Sequence, residues 1–366
     1  MTFRSRIAPL LALVFLTLPL GAAEAPRVFP LWDGKEAVAT YAERVHLPAT
    51  KSLDLGNGVT LDLVLIPAGQ FIMGSEEPAK PSVTVPEAEV LIGIGICAMW
   101  VSLLLLSNNY NKKKTYSFSL RWLILLTIST GLCLGGIARR ILAQQEAARY
   151  ETELAAFNKL PPEEKPAHSV TLTQPFYMGK YTVTQEQYSA IMGTTPSRFK
   201  GAQLPVESMM WNDVTAFCAK LTEKLKNKAL SVRLPTEAQW EYACRAGTRT
   251  RFYSGDLDGD LDAVGWYYSN SGRMPHPVGQ KKANAFGLYD MVGNMEQYCE
   301  DNNDAKYYSI SPELNPIRSE GETDRVLRGA CYADNLINCR SSYRYHVTPK
   351  DWGSFSGFRV MLSSTL

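Results

Sequence analysis

Two long apolar runs dominate the hydropathy pattern of the chain. Residues 90–106 and 122–138 contain no charged side chain, and each run is near the lower end of the ~17–25 residues that cross a bilayer as a helix. Residues 107–121, between them, are polar and basic. The pattern predicts two transmembrane helices joined by a cytoplasmic loop. Two buried helices of a domain are the alternative, but such helices are rarely apolar on every face in a protein of this size.

A shorter apolar stripe follows the second run. Within residues 139–160, apolar side chains recur at alternating steps of four and three: Ala143, Ala147, Tyr150, Leu154 and Phe157. This spacing places them on one side of a helix, and Pro161 and Pro162 end it. We therefore expect a helical stalk over 139–160, whose stripe packs on its own domain or pairs with another chain.

The N-terminal residues have the pattern of an export signal. Arg4 and Arg6 precede an apolar stretch that ends in small residues, which predicts a signal peptide over 1–23 with cleavage after Ala23. An uncleaved membrane anchor is the alternative. Either interpretation places the next segment outside the cytoplasm, at the cell membrane.

Residues 167–366 have mixed patterning that is typical of one irregular α+β domain. Residues 184–187 (TQEQ) and 236–239 (TEAQ) are capping-box signatures that predict two helix starts. Gly193 is expected to end the first of these helices. Asn212 is expected to cap a third helix.

Composition narrows the classes of function. The 38 basic and 36 acidic residues nearly balance, which argues against a general nucleic-acid binder because such a protein would show a basic stripe. Two of the seven cysteines, Cys97 and Cys133, lie in the apolar runs. The other five are Cys218, Cys244, Cys299, Cys331 and Cys339. An oxidising compartment permits disulfides among these five, but their pairing cannot be deduced from the sequence.

Several segments together resemble one known family in their order and spacing. They are residues 64–74 (VLIPAGQFIMG), 176–185 (FYMGKYTVTQ), 204–211 (LPVESMMW), 233–248 (RLPTEAQWEYACRAGT), 284–294 (NAFGLYDMVGN), 325–329 (RVLRG) and 357–360 (GFRV). The chain is identified by them as a member of the formylglycine-generating-enzyme (sulfatase-modifying factor) family. The resemblance implies an irregular α+β fold similar to C-type lectins.

The resemblance also implies an interrupted domain. Residues 60–77 and 167–366 match the family, whereas 78–166 stand as an insertion that carries the predicted membrane hairpin and stalk. Residues 24–59 form an N-terminal extension. Because both parts of the domain must fold together, they must lie on one side of the membrane, and a hairpin satisfies this condition.

The family's oxidases hold copper(I) with two thiols, and the resemblance implies where these would lie. Cys331 stands at the position of a serine in the family's Gly-Gly-Ser turn, Asp334 at the first-thiol position and Cys339 at the second. A carboxylate is a hard ligand that suits copper(I) poorly, so copper is not expected. Cys331 and Cys339 remain candidates for a displaced copper site, for a disulfide or for buried thiols.

A calcium loop is the second site that the resemblance implies. Asp290 and Gln297 would supply side-chain oxygens, and Gly293 and Met295 would supply backbone carbonyls. Gln297 replaces the family's glutamate, which removes one negative charge from a site for a hard cation. The resemblance therefore implies a calcium site of lowered affinity.

These observations favour a binding or scaffold module without catalytic activity. The expected ligand is a protein or peptide held in an aromatic groove, lined by Tyr332, Asp334, Tyr343, Tyr345, His346, Trp352 and Phe355. The alternative is a metal-dependent oxidase that modifies thiols of exported proteins with Cys331 and Cys339.

Overall fold

The computed structural model describes residues 28–81, 96, 99–101, 120–227, 230–321, 324–350 and 353–363. The predicted signal peptide and Trp352 lie outside the described residues, as does most of the first apolar run. The described strands are β1 Thr50–Gly56, β2 Val59–Ile66, β3 Gly69–Met73, β4 His168–Leu172, β5 Phe176–Gly179, β6 Val232–Arg233, β7 Glu296–Asn302, β8 Arg325–Arg328, β9 Arg344–Val347, β10 Ser356–Phe358 and β11 Met361–Ser363.

Five of these strands form the largest described sheet, in the order β1-β2-β5-β11-β6. Strand β2 is an interior strand, between β1 and β5. Its apolar residues alternate and then run on (VTLDLVLI), so one face and then both faces are buried. The pairing of β1 with β2 brings residues 50–56 of the N-terminal extension into the same sheet as the family motifs. The extension is thus structurally continuous with the domain.

A smaller sheet of the order β10-β7-β8-β9 carries the candidate site. Strands β7, β8 and β9 are antiparallel neighbours, whereas β10 runs parallel to β7. Strands β3 and β4 form a separate antiparallel pair in which Met73 faces His168. The chain therefore leaves the domain after β3 and re-enters it at β4, so the two ends of the insertion meet.

The described helices are α1 Val38–Val45, α2 Leu120–Asn158, α3 Gln185–Met192, α4 Trp211–Lys224, α5 Glu237–Arg245 and α6 Asp258–Asp262. Both predicted capping boxes are confirmed, at the starts of α3 and α5, and Gly193 ends α3 with a left-handed conformation. The predicted cap at Asn212 is wrong, because α4 begins at Trp211 and its N-cap is Met210, two residues earlier than predicted. The carboxylate of Asp213 accepts a hydrogen bond from the Met210 N–H at 3.0 Å, which satisfies this helix end instead.

The long helix α2 contains the second apolar run and the predicted stalk without a break. Its stripe is confirmed: Ala143 is buried and Tyr150, Leu154 and Phe157 are partly covered, while most of their neighbours are exposed. No helix in the described part of the chain has both the length and the apolar character needed to cross a bilayer. The predicted membrane hairpin is therefore not supported by the described residues.

Two clusters of buried side chains fill the described domain. One lies around Trp240 and Phe252 of the region that carries the candidate site. The other packs helices α1, α3 and α4 on the large sheet around Phe217 and Tyr177. The candidate site thus lies in loops that are supported by a fixed core.

Candidate functional site

The cysteine loop, which we define as residues 331–343, leaves strand β8 through a constrained turn. Gly329 has φ +94° and Ala330 has φ +58°. A Cβ atom on Gly329 would lie 2.8 Å from the carbonyl oxygen of Met291, so the turn requires glycine. The loop contains the short 3-10 helix Leu336–Cys339 and ends where β9 begins. Its start is thereby fixed against the loop that contains Met291.

A buried arginine holds the other end of the cysteine loop. The Arg328 guanidinium donates to the backbone carbonyls of residues 341–343 at 2.8–3.0 Å. Its charge is balanced by Glu241, which also pairs with Arg245 at 2.8 Å. Although burial acts to raise the pKa of Glu241, these two guanidinium groups lower it below its usual value. This ion-pair network fixes the loop without using either candidate thiol.

Asp334, at the position of the family's first thiol, holds the cysteine loop together. Its Oδ2 accepts a hydrogen bond from the Cys331 backbone N–H at 2.8 Å, and its Oδ1 accepts one from the Asn338 side chain at 3.1 Å. The Asp334 backbone N–H donates to the Cys331 carbonyl oxygen at 3.1 Å. Both carboxylate oxygens are thus used inside the loop.

Five thiols are free and buried: Cys218, Cys244, Cys299, Cys331 and Cys339. Burial, reinforced by the charges of Asp334 and Glu296, raises the pKa of Cys331 well above its ordinary value. Burial and the charge of Asp334 raise the pKa of Cys339 to about 12. Both groups are therefore protonated at neutral pH, whereas the thiolate is the form that binds metals and acts as a nucleophile. In this structure Cys331 and Cys339 are both buried, unpaired thiols.

Glu296, at the start of β7, adds a second carboxyl group to the site. Its Oε2 accepts a hydrogen bond from the buried Ser356 hydroxyl at 3.2 Å. Burial, with the charge of Asp334 as the next cause, raises the pKa of Glu296 to about 8. At neutral pH this carboxyl is mostly protonated and can donate a hydrogen bond to a ligand. No sequence pattern marks Glu296 as a site residue, because only the folding of β7, β8 and the cysteine loop brings it near Asp334.

Aromatic side chains form a partly exposed surface beside these groups. We define the aromatic surface as Phe199, Tyr332 and Phe355, whose rings are linked by centroid distances of 6.0 and 5.6 Å. Tyr332 is buried, whereas Phe355 is 42% exposed. Phe199 also escaped the sequence analysis, since it lies far away in the chain and follows no spacing pattern.

The other predicted groove residues lie in different surroundings. Tyr343 is half-buried and packs against the core cluster. Tyr345 and His346 lie on β9, where Tyr345 is 47% exposed and the His346 ring is 3.9 Å from the Asp324 carboxylate. Of the predicted set, the structure thus pairs Tyr332 with Phe355 and, separately, Tyr345 with His346.

Gln297, in the predicted calcium loop, has both ends of its amide in use. Its Oε1 accepts hydrogen bonds from Trp240 Nε1 at 2.8 Å and Arg359 Nε at 3.2 Å. Because both partners can only donate, the orientation of the amide is fixed. Its Nε2 donates to the Asp290 backbone carbonyl at 2.9 Å. The amide hydrogen therefore points at a carbonyl that would otherwise be free for a cation.

The remaining groups of this loop do not fit a calcium ion. The Gly293 carbonyl accepts from the Met295 N–H at 2.9 Å. Asp290 Oδ2 accepts from the Gly279 N–H at 2.8 Å, and only Oδ1 is a buried acceptor with no partner in the described structure. Burial raises the pKa of Asp290, and burial lowers that of the adjacent Arg359 to about 10. Among the predicted side-chain ligands, only Asp290 Oδ1 is thus open, and it lies beside a guanidinium, whereas calcium takes six to eight oxygens.

Two proteins of known name are similar in sequence to this chain. It is 29% identical over 242 residues to the chaperone protein LppX of Paenibacillus barcinonensis, which is 53% of this chain and 82% of that protein. It is 35% identical over 178 residues to the formylglycine-generating enzyme of Streptomyces coelicolor, which is 42% of this chain. The chain matches 51% of the length of that enzyme.

Among solved structures, Treponema denticola variable protein 1 superposes with a TM-score of 0.56 at 22% identity, covering 86% of this chain and 99% of that one. This similarity supports the mixed α+β fold. The model of the sulfatase-modifying factor enzyme 1-like domain matches residues 141–364, more than half of the chain. The chain therefore belongs to the family of proteins with a sulfatase-modifying factor enzyme 1-like domain.

Proposed function

We propose that this protein is a binding module without oxidase activity, and that it recognises another polypeptide at the aromatic surface. The observation that carries the proposal is the state of Asp334. In the position of the first copper thiol, this carboxylate is a structural acceptor that closes the cysteine loop on Cys331 and Asn338. Because both of its oxygens are used inside the loop and a carboxylate is a hard ligand, Asp334 does not replace the thiol as a ligand for copper(I).

The thiols support the same conclusion. Cys339 is fully buried with its pKa raised to about 12, so forming its thiolate at neutral pH is costly. Cys331 is buried as well, with its sulphur accepting the Ala333 N–H at 3.3 Å. Neither thiol has the lowered pKa that marks a reactive cysteine.

The expected ligand is a polypeptide because of the surface chemistry. Phe355 and Tyr332 provide an apolar contact area, and the protonated Glu296 beside them, held by the Ser356 hydroxyl, provides a polar group for orientation. The name of LppX, a chaperone protein, is consistent with a relative that binds polypeptides.

Copper(I) titration of the full chain tests the proposal. We expect no stoichiometric binding by the wild-type protein and by Asp334→Asn, which keeps an acceptor but adds no sulphur. Asp334→Cys restores the family's two thiols and should gain copper that is lost again in the double variant with Cys339→Ser. Tight copper binding by the wild-type protein, or conversion of a cysteine peptide to an aldehyde under air, would show that the protein is an oxidase.

Fluorescence anisotropy with a labelled, reduced and unfolded model polypeptide tests the binding surface. Phe355→Ala should weaken binding about tenfold, as expected for a central aromatic contact. Ile310→Ala is the matched control, since Ile310 is 69% exposed and lies outside the aromatic surface. An equal effect of both substitutions would exclude this surface as the binding site.

We also propose, from the sequence alone, that the protein is exported and attached to the cell membrane. Residues 1–23 and most of 90–106, which carry this prediction, lie outside the described residues. Protease added to spheroplasts with an intact cytoplasmic membrane should digest the domain if it is exported. Protection until the membrane is lysed would contradict export.

A further inference from the structure

The insertion re-enters the domain through a buried carboxylate. Glu164 lies in the short 3-10 helix Pro162–Glu164 and is 0% exposed. Its two oxygens pair with Arg340 Nη2 at 2.6 and 2.7 Å. Its Oε2 also accepts from the Ser75 hydroxyl at 2.9 Å, and its backbone carbonyl accepts from the Ser75 N–H at 2.9 Å. One residue of the insertion thus contacts both the strand before it and the cysteine loop.

The partner arginine belongs to the part of the cysteine loop that carries a candidate thiol. Arg340 follows Cys339 directly, and its Nη1 donates to the carbonyl of Ile337 in the 3-10 helix Leu336–Cys339. Ser342, two residues later, is 3.0 Å from the Ser75 hydroxyl. The contacts of Glu164 and Ser75 therefore converge on residues 337–342.

The same segment is connected to the end of helix α2. Lys165 Nζ donates to the Phe157 carbonyl at 3.1 Å and lies 4.6 Å from the centre of its ring. This contact satisfies a carbonyl at the C-terminal end of α2, where a cation is favourable. Ile337 faces the last turns of α2 across a groove lined by Ala155, Ala156 and Leu160. The helix end and the cysteine loop are therefore neighbours joined through Glu164 and Lys165.

We propose that Glu164 is a positioning residue that holds residues 337–342 in place, and that it links the position of helix α2 to the accessibility of Cys339. The pair is buried at both ends, so removing the carboxylate leaves the Arg340 charge without compensation, which disfavours the closed loop. The loop would then open locally, while the core that holds the rest of the domain stays formed. This link concerns how the loop is held and does not depend on which ligand it binds.

Thiol labelling of the full chain, with the labelled cysteines located by peptide mass mapping, tests the proposal. Cys339 is buried beside Arg340, whereas Cys218 is buried in helix α4 and serves as an internal reference. Glu164→Gln should raise the labelling rate of Cys339 about tenfold and leave that of Cys218 unchanged, as expected for local opening. Glu163→Gln, at the neighbouring position, is the matched control and should change neither rate.

Two milder variants keep the test decisive if Glu164→Gln fails to fold. Ser75→Ala removes one hydroxyl that bridges Glu164 and Ser342, and Lys165→Ala removes the contact with the end of α2. Each should raise the labelling rate of Cys339 about threefold relative to Cys218, as a local opening. Equal increases at both cysteines would mean general destabilisation and would overturn the positioning role. An unchanged Cys339 rate in Lys165→Ala would overturn the link to α2.

Discussion

Replacing Gln297 with glutamate tests whether an amide group stands in for a cation in the 290–297 loop. Gln297→Glu keeps the oxygen that accepts from Trp240 and Arg359. It replaces the amide nitrogen with a second oxygen, which then faces the Asp290 carbonyl across the present 2.9 Å. Two acceptors at this distance repel each other, and the carbonyl loses its donor. A proton or a metal ion is needed to restore the contact.

The expected cost follows from the lost hydrogen bond. Leaving a buried acceptor unsatisfied costs about 1–3 kcal/mol, and the Arg359 charge offsets part of the cost of the new buried carboxylate. At 2–4 °C per kcal/mol for a domain of this size, Tm in EDTA should fall by roughly 2–12 °C. Calcium at a hundred times its Kd would return about 2.7 kcal/mol to the variant.

Thermal unfolding of both proteins with EDTA and with calcium is the assay. The wild-type Tm should be the same in both buffers, and only Gln297→Glu should gain stability from calcium. Gln145→Glu, at an exposed position of helix α2, controls for the added charge. If calcium raises the wild-type Tm as much as that of the variant, the loop binds calcium through the glutamine and the hydrogen-bond argument fails.

Three further predictions concern the residues that support the site. Glu241→Gln should lower the free energy of unfolding in urea by about 3–5 kcal/mol, because the buried Arg328 and Arg245 lose their nearest carboxylate and Arg328 keeps only Glu237, at 3.7 Å. Arg149→Ala, at an exposed pair, should change it little. A cost below 1 kcal/mol for Glu241→Gln would contradict the importance of the network. Because the pKa of Glu296 is raised, its contribution to stability is present at low pH and is lost as the pH rises from about 4.5 towards 8. The free energy of unfolding in urea should therefore depend less on pH for Glu296→Gln than for the wild type. Parallel pH profiles of the two proteins would refute this. Thr236→Ala should cost about 1 kcal/mol by removing the cap at the Gln239 N–H, and an unchanged urea midpoint would show that the cap contributes nothing.

Local signals in the sequence predicted local structure well. The capping boxes at 184–187 and 236–239 are visible in the sequence because all of their partners lie within four consecutive residues. The error at Asn212 has a different cause. Asp213 and Met210 satisfy the start of α4 together, and a rule that considers one residue at a time favoured the asparagine.

Contacts between segments that are far apart in the chain could not be predicted from the sequence. Glu296 lies close enough to Asp334 to feel its charge only because β7 and β8 pair. Glu164 contacts Arg340 only because the insertion ends beside the cysteine loop. The sequence revealed that Gln297 replaces a charge. It did not reveal that the amide hydrogen would take the contact with the Asp290 carbonyl, since this depends on the donors Trp240 and Arg359 on either side of the oxygen.

The residues that identify the family and the residues that would perform its chemistry are physically separable in this chain. Arg328, Glu241 and Gly329 fix the path of the cysteine loop through buried ion pairs, backbone carbonyls and a turn that excludes a side chain, and none of these contacts uses a sulphur atom. The loop can therefore keep its shape when a thiol is exchanged for the Asp334 carboxylate. Because the motifs carry the shape, a strong family match is expected whether or not the oxidase remains. The identity and hydrogen bonds of residue 334 are thus more informative about activity than the whole of the matched sequence.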